Sequence, residues 1–346
     1  MTMPVRESFL LLKAAVPAVC LCETCGSNPG TPCMTSNKPD HQPVMLQQVL
    51  NGLNIRRDGI YVDCTYGRGG HSRAILEQLN DEGRLFVFDR DPLAFRHAEQ
   101  LFRHDPRVIA IHGAFSLLAE KLGGYQVLGE VDGLLFDLGV SSPQLDEADY
   151  GFSFLRDGDL DMRMDPATGM SAGAWLNHAD LKEIEDVLRT YGEERYARRI
   201  ARALVAARDS EPLTRTRQLA GIVAAAVPTR ERNKDPATRT FLAVRIFINN
   251  EIGELEAVLR QVNEVLKPGG RLVVISFHSL EDRVVKRFMA SEARGNRFPP
   301  GIPVTEDQMT PTLRIISKAV KPDENEVRHN PRARSAVLRI GEKIAA

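Results

Sequence analysis

Residues 62–71, VDCTYGRGGH, constrain the fold of this chain more than any other stretch of the sequence. An apolar run leads into the stretch, its glycines allow a tight turn with close backbone approach, and helical spacing resumes at Ser72. The next apolar run ends at Asp89. A carboxylate at the end of a strand can accept hydrogen bonds from both hydroxyls of a ribose. This order of strand, glycine loop, helix and strand predicts the nucleoside-binding edge of a parallel sheet.

The spacing of the glycines favours S-adenosylmethionine over a nicotinamide dinucleotide as the ligand. A dinucleotide fingerprint reads G-x-G-x-x-G, in which the third glycine lets helix and strand pack closely while a pyrophosphate rests on the helix N-terminus. That third position is Ser72 in this chain. S-adenosylmethionine has no pyrophosphate, so a compact GRGGH loop need only pass close to its methionine part. A glycine turn without a ligand is the remaining alternative, and Asp89 argues against it.

Alternating strand and helix patterns from His41 onward predict a doubly wound, Rossmann-like α/β fold with a parallel sheet. The alternation stops after a strand that ends at Asp137, and mostly helical patterns follow. It resumes with one long helix predicted over residues 240–266, a strand over residues 271–276 and a last strand over residues 335–340. We therefore predict a discontinuous cofactor-binding domain over residues 41–144 and 236–346, with an inserted helical domain over residues 145–235.

Residues 1–40 are predicted to be a disordered extension outside the fold. Their cysteines, Cys20, Cys22, Cys25 and Cys33, could bind zinc, but the spacing lacks the two paired C-x2-C knuckles of strong zinc patterns. We therefore predict no metal site. The apolar residues 9–21 are interrupted by a lysine and a proline, and no convincing cleavage site follows, so no signal peptide is expected. Met34 is a plausible true start.

Charge and hydropathy exclude some classes of partner. No apolar run approaches the length of a membrane helix, so we expect a cytoplasmic protein with no membrane partner. The formal net charge of -1 does not indicate a polyanionic partner, so any surface that binds nucleic acid must be a local basic patch.

Residues that end separate parallel strands converge at one edge of an open α/β sheet, which is where ligands bind. We expect Asp89 to hold the ribose. Gly69, Gly70 and the backbone amide of His71 are expected to approach the methionine end of the cofactor. Phe115 follows another strand and is predicted to cover the adenine, with ordinary core packing as the alternative.

The DLGVSSP segment that begins at Asp137 loosely resembles the loop with which amino-methyltransferases hold an exocyclic amine. The lone pair of an aromatic amine is shared with the ring, so methylation needs acceptors that bind the amine protons and align the nitrogen with the methyl group. Asp137 is the first candidate acceptor, with cofactor binding as the alternative. Ser142 and His278 are further catalytic candidates, and a structural histidine is the alternative for His278.

Two features of the predicted insertion suggest contact with RNA. The motif LDMRMD at residues 160–165 is predicted either to pair with a base or to form a salt-bridged cap. A helical spacing of i, i+3, i+4 and i+7 joins four basic residues on one face, Arg195, Arg198, Arg199 and Arg202. This face could neutralise RNA phosphates. A solvated face paired with Glu193 and Glu194 is the alternative.

Taken together, the motifs resemble those of the bacterial ribosomal RNA small subunit methyltransferase H family, from His41 to about Lys343. The motifs that carry the resemblance are DCTYGRGGHS, DRDP, DGLLFDLGVSSPQLD, YGEERYARRIA, RTFLAVRIFINNE, PGGRLVVISFHSLEDR and NPRARSAVLRI. The resemblance implies a class I S-adenosylmethionine-dependent methyltransferase. The implied substrate is the N4 amine of a cytidine in the decoding region of 16S rRNA, in the small ribosomal subunit, and a homodimer is left open.

The resemblance also implies a set of cofactor-binding residues, which shifts Asp137 toward cofactor binding. The implied set is Gly69, Gly70, His71, Asp89, Phe115, Asp137 and Gln144. It implies no catalytic residue and does not cover residues 1–35. Two other functions stay open: a DNA amino-methyltransferase, which would have to flip a base out of a duplex, and a ribosome-assembly factor that binds RNA without transferring a methyl group.

Overall fold

The structure, a computed structural model, describes residues 43–229, 235–295, 305 and 309–345. The chain divides into two compact units, Met1–Asp40 and His41–Ala346. All the described residues belong to the second unit. The predicted extension over residues 1–40, with its four cysteines, lies outside the described residues.

A single sheet organises the second unit. Its strands are β1 (Ile60–Asp63), β2 (Arg84–Asp89), β3 (Val108–His112), β4 (Val131–Asp137), β5 (Leu266–Ser276), β6 (Leu313–Ile315) and β7 (Val337–Lys343). They lie in the order β3-β2-β1-β4-β5-β7-β6, and the pairs among β1 to β5 are parallel. The predicted doubly wound, Rossmann-like fold is confirmed. The last strand departs from the predicted parallel pattern, because β7 runs antiparallel to both β5 and β6.

Helices connect the strands and cover both faces of the sheet. They are α1 (Leu46–Leu53), α2 (Gly70–Leu76), α3 (Pro92–Leu101), α4 (Leu118–Gly123), α5 (Ser142–Asp146), α6 (Ala172–His178), α7 (Leu181–Gly192), α8 (Ala197–Arg208), α9 (Thr216–Ala226), α10 (Thr238–Ile248), α11 (Glu251–Leu259), α12 (Val262–Val265), α13 (Ser279–Arg294) and α14 (Glu324–His329). Short 3-10 turns precede α4, follow α5 and follow α14. Within the described residues, no helix combines the length and apolar character that a membrane crossing needs.

The central strands are apolar on both faces because each face packs against helices. In β4, Leu134 and Phe136 belong to one hydrophobic cluster, which α4, α11 and α13 complete. Leu135, which points to the opposite face, belongs to a second cluster with α1, α2 and α3. Burial on both faces explains why these strands read as continuous apolar runs in the sequence.

The helices between β4 and α11 build a third hydrophobic cluster of their own. Buried residues of α6, α7, α8 and α9 meet in it, among them Leu188 and Leu204. Phe241 and Val244 of α10 join the same cluster, so α10 packs with these helices rather than on the sheet. The apolar faces of these helices thus have a core separate from the two clusters on the sheet.

The prediction of a single helix over residues 240–266 is wrong. Three helices, α10, α11 and α12, occupy that stretch, and β5 already begins at Leu266. The first break falls at Asn249 and Asn250. The side chain of Asn249 bonds to main-chain groups of residues 162 and 164, and Asn250 adopts a left-handed φ of 50°. Asparagine side chains compete with helical hydrogen bonds and tolerate this conformation, which explains the break.

Candidate active site

A cavity of about 420 Å³ opens at the carboxyl ends of the parallel strands. Six of the residues predicted to bind the cofactor line it: Gly70, His71, Asp89, Phe115, Asp137 and Gln144. They lie at the start of α2, at the last residues of β2 and β4, after β3 and in α5, as expected for strand ends that meet at one edge. The predicted cofactor residues therefore meet around a single cavity.

The glycine loop after β1 owes its shape to left-handed backbone conformations. Gly67 has a φ of 57° and Gly69 a φ of 72°. A Cβ added at Gly69 would lie 2.5 Å from Cε2 of Tyr66, so a side chain there would collide with that ring. Gly69 is not among the residues that line the cavity. Its role in the structure is to let the chain turn over Tyr66 into α2.

Asp89 ties the glycine loop to the end of β2. Its Oδ2 accepts a hydrogen bond of 2.8 Å from the amide of Gly67, and its Oδ1 accepts one of 2.8 Å from the amide of Asp91. Burial raises the pKa of Asp89 to about 7, although both amide bonds favour the carboxylate. Each carboxylate oxygen can accept a second hydrogen bond. The ionised side chain therefore keeps the capacity to bind two ribose hydroxyls.

His71 and Asp137 form a pair in the wall of the cavity. His71 Nε2 lies 3.5 Å from Asp137 Oδ2, and the imidazole is almost fully buried. Burial lowers the pKa of His71, but the neighbouring Asp137 and Asp63 carboxylates outweigh it, so the net shift is upward. Within the described part of the chain, both ring nitrogens and Asp137 Oδ1 are buried without a hydrogen-bond partner. Buried polar atoms of this kind are costly unless a ligand pairs with them.

Asp63, which ends β1, supports this pair from below. Its Oδ2 accepts a hydrogen bond of 2.6 Å from the hydroxyl of Ser72, and its Oδ1 accepts one from the amide of Thr65. Burial raises the pKa of Asp63, against the effect of these bonds. The hydroxyl of Thr65 lies 2.6 Å from the amide of Asp137 and accepts its hydrogen bond. The ends of β1 and β4 are thus held together beneath the cavity.

Gln144 is held by contacts that the sequence did not reveal. Its Oε1 accepts a hydrogen bond from the amide of Ser141, and its Nε2 donates to Asp91 Oδ2 at 3.0 Å. The hydroxyl of Tyr150 donates to the same oxygen at 2.7 Å. Asp91 also caps α3 by accepting from the amide of Leu93. The DRDP motif, with proline at the helix start, is a capping signal for Asp91, but its reach to α5 appears only in the folded chain.

Phe115 combines the two roles that the sequence left open. Its ring meets that of Phe136 edge to face, with centroids 5.8 Å apart, and it packs against the cluster on that face of the sheet. It also lines the cavity. The same ring can therefore belong to the core and present a surface to an adenine.

The structure gives His278 the position of a structural histidine. His278 caps α13, because its Nδ1 accepts a hydrogen bond of 3.4 Å from the amide of Glu281. Its Nε2 lies 3.0 Å from Glu281 Oε1, and His278 is not among the cavity-lining residues. A catalytic role for His278 stays a prediction without support from this geometry. Ser142 begins α5, but its side chain lies outside what the structure describes.

One group of side chains has the composition of a metal site. Ligand atoms of Glu251, His278 and Glu281 lie within 4.8 Å of one another. The guanidinium of Arg245 already holds Glu251 through two hydrogen bonds of 2.8 Å each. Burial raises the pKa of Glu281, but His278 and Arg245 outweigh it and lower the pKa overall. Arg245 thereby supplies to this group the positive charge that a metal ion would bring.

The basic face lies beside the third cluster, on α8. The helix begins at Ala197, so Arg195 precedes it, while Arg198, Arg199 and Arg202 follow in helical register and are exposed. The predicted glutamate partners bond elsewhere, as Glu193 pairs with Arg283 and Glu194 Oε1 accepts from the amide of Tyr196. Among the described residues, no ion pair involves Arg198, Arg199 or Arg202.

The LDMRMD motif forms the salt-bridged loop that was one of its two interpretations. Arg163 holds Asp161 through two hydrogen bonds of 2.7 Å, from Nε and Nη2. Met164, the next residue, lines the cavity. The loop therefore closes one side of the cavity with an apolar side chain rather than with the paired charges.

The sheet order, the antiparallel β7 and a cavity at the strand ends define a Rossmann-like methyltransferase of the class that uses S-adenosylmethionine. The residues present fit this cofactor, because Asp89 retains acceptor capacity and the two ring nitrogens of the buried His71 have no hydrogen-bond partner among the described residues. The chain belongs to the MraW methylase family, whose model matches residues 38–344. This membership confirms the family that the sequence motifs indicated, and S-adenosylmethionine is its cofactor.

The solved structures that match this chain are distant in sequence. A protein from Clostridium thermocellum, described provisionally as an rRNA methylase, is 12% identical over 88% of this chain and 97% of its own, with a TM-score of 0.41. An rRNA methylase from Streptococcus thermophilus is 11% identical over 86% and 95%, with a TM-score of 0.39. A protein from Streptococcus mutans in complex with SAH, described provisionally as a methyltransferase, is 12% identical over 86% and 97%, with a TM-score of 0.38.

Proposed function

We propose that this methyltransferase methylates the exocyclic N4 amine of a cytidine in the decoding region of 16S rRNA, within the small ribosomal subunit, in the cytoplasm. The observation that carries the proposal is the end of β4. Asp137 presents a buried Oδ1 without a partner, and the Leu138–Gly139 turn beside it lines the same cavity. Carboxylate and carbonyl oxygens at this point are the acceptors that an aromatic amine requires.

The roles of the residues follow from the chemistry of an amine. When bound, S-adenosylmethionine supplies a methyl group on a sulfonium sulfur, which keeps the bonding electron pair when the amine nitrogen bonds to the methyl carbon. Asp89 binds the ribose, His71 with Asp137 Oδ2 holds the methionine end, and Asp137 Oδ1 accepts a hydrogen bond from the amine. Carbonyl oxygens of the Leu138–Gly139 turn accept hydrogen bonds from the amine and align its nitrogen with the methyl group. The proton that the methylated nitrogen loses passes to solvent.

The helical segment over residues 145–235 is proposed to recognise the substrate. Its hydrophobic cluster, which α10 completes, gives it a core that does not depend on the sheet, as expected of an inserted domain. The exposed Arg198, Arg199 and Arg202 of α8 form a local basic surface on a chain whose formal net charge is only -1. Such a surface suits phosphates of a folded RNA, whose binding gains from released counterions.

The test is methyl transfer from labelled S-adenosylmethionine to purified small subunits that lack the modification, to deproteinised 16S rRNA and to DNA. Nucleoside mass spectrometry then identifies the product. N4-methylcytidine in rRNA is the expected result. Label on DNA would instead favour a DNA amino-methyltransferase. Cofactor binding without transfer to any substrate would favour an assembly factor.

Reversal of the basic face is expected to weaken substrate binding. Arg198→Glu with Arg199→Glu should raise the KM for small subunits at least about tenfold, because two phosphate contacts become repulsive, and should leave cofactor affinity unchanged. The matched control is Arg57→Glu with Arg84→Glu. Both control residues are exposed: Arg57 lies three residues before β1 and Arg84 begins β2, at the edge of the sheet opposite the cavity. Equal effects of the two double variants would contradict a specific basic face.

A further inference from the structure

The cavity extends beyond the residues that the cofactor needs. In the sheet, β4 lies between β1 and β5, so Asp137 at the end of β4 marks a boundary. Apart from Asp137 and Gln144, the predicted cofactor residues lie at the end of β2 and in the segments that follow β1 and β3. A second part of the wall comes from the end of β5 and from α10 and α11, through Arg245, Glu251 and Phe277. None of these three has a role in the cofactor site described above.

Phe277 places an aromatic ring directly beside the amine-holding turn. The ring lies against Gly139, where an added Cβ would be 3.4 Å from Phe277 Cδ2. Glu281 fixes the main chain at Phe277, because its Oε2 accepts a hydrogen bond of 2.9 Å from the amide of Phe277. The ring is half-buried and lines the cavity. An aromatic face held in this way is suited to stacking against a planar base.

Arg245 and Glu251 add an oriented polar edge to the same wall. Arg245 Nε and Nη2 donate to the two oxygens of Glu251, each at 2.8 Å, and the two side chains are only 12% and 10% exposed. This fork leaves Arg245 Nη1 without a hydrogen-bond partner among the described residues. The wall therefore offers a fixed cationic donor next to an aromatic ring. Cytosine presents the complement, a flat face and the acceptors O2 and N3 on one edge.

We propose that Phe277, Arg245 and Glu251 form the subsite for the target pyrimidine. Phe277 stacks on the ring, Arg245 Nη1 donates to its O2 and N3 edge, and Glu251 keeps the guanidinium in the required plane. Bound in this way, the base directs its exocyclic amine toward the turn after Asp137. The inference rests on the proposed function and extends it to the residues that recognise the base.

The test is steady-state methylation of small subunits by Phe277→Leu, Phe277→Tyr and Arg245→Lys, with cofactor affinity measured by calorimetry on the same preparations. Phe277→Leu should lower kcat about tenfold, because it removes stacking while contacts elsewhere still bind the RNA. The KM for subunits and the affinity for S-adenosylhomocysteine should stay within about twofold. Phe277→Tyr keeps the ring and should retain most of the kcat. Arg245→Lys keeps the charge but loses the fork, and its kcat should fall.

The matched control is Phe288→Leu, which makes the same change at a half-buried ring of α13 that does not line the cavity. Unfolding temperatures and cofactor affinities verify that each variant is folded. The subsite would be refuted by a kcat of Phe277→Leu within about twofold of wild type, by a parallel loss of cofactor affinity, or by equal damage from tyrosine and leucine. Failure of the proposed function is a separate result, since the wild-type protein itself would then not produce N4-methylcytidine.

Discussion

At the scale of single residues, the protonation state of Asp89 is expected to control cofactor binding. Two main-chain amides hold its carboxylate, yet burial raises its pKa to about 7. Burial therefore favours the protonated side chain far more than it would for an exposed aspartate when no ligand is bound. Ribose hydroxyls bind best to the ionised form, since a carboxylate accepts more hydrogen bonds than a carboxylic acid.

Cofactor binding should therefore depend on pH. As pH falls below about 7, Asp89 must lose a proton to bind the ribose, so affinity should fall by up to about tenfold per pH unit. Above that pH the carboxylate is already ionised and this contribution should level off. Calorimetry with S-adenosylhomocysteine from pH 5.5 to 8.5 measures the profile. Asp89→Asn should bind more weakly and lose this component, whereas identical profiles for the two proteins would contradict the assignment.

At the scale of elements, the break between α10 and α11 shapes the cavity. Asn249 is 1% exposed, and its side chain donates to the carbonyl of Met162 at 2.7 Å and accepts from the amide of Met164 at 2.8 Å. Its own carbonyl accepts a hydrogen bond from Arg90. One asparagine thus joins a loop of the helical segment, the end of α10 and the residue after Asp89.

Asn249→Ala is expected to lower the free energy of unfolding by about 2–6 kcal/mol, because two main-chain groups each lose a partner at about 1–3 kcal/mol. Chemical denaturation measures the change. The neighbouring Asn250→Gly is the matched control. Asn250 has a left-handed φ of 50°, which glycine adopts without strain, so stability should stay equal or rise slightly. Equal losses from both variants would show that the side-chain bonds of Asn249 are unimportant.

At the scale of the whole molecule, three hydrophobic clusters stabilise different parts of the structure. Two clusters cover the faces of the sheet and position the strand ends at the cavity. The third holds α6 to α10 together, and α8 carries the basic face. Cofactor binding and substrate binding can therefore be altered through different cores.

Leu188→Ala tests this division. Leu188 is fully buried in the third cluster, so truncation should lower the free energy of unfolding by about 2–5 kcal/mol. Affinity for S-adenosylhomocysteine should remain unchanged in the folded protein. Leu155→Ala in the same segment is the control, because Leu155 is 79% exposed and its loss should cost less than about 0.5 kcal/mol. A large drop in cofactor affinity for Leu188→Ala would mean that the third cluster also shapes the cofactor site.

Local patterns in the sequence determined the alternation of strands and helices, the glycine loop and the place of Asp89 at the end of β2. These features depend on hydrophobic periodicity and on backbone preferences of glycine, which act over a few residues. Motifs spread along the chain were enough to indicate the family. The position of Asp137 at a strand end followed from the same reasoning.

Only the tertiary structure decided which distant groups meet. The pairing of His71 with Asp137, the hold of Asp91 on Gln144, and the placement of Arg245 and Phe277 in one wall join residues that are far apart in sequence. The helix predicted over residues 240–266 failed for the same reason, since Asn249 interrupts it by bonding to a loop more than eighty residues earlier. Hydrophobic periodicity indicates which face of a helix or strand is apolar. The contacts between distant residues depend instead on how the helices and strands pack and on where their ends lie in the folded chain.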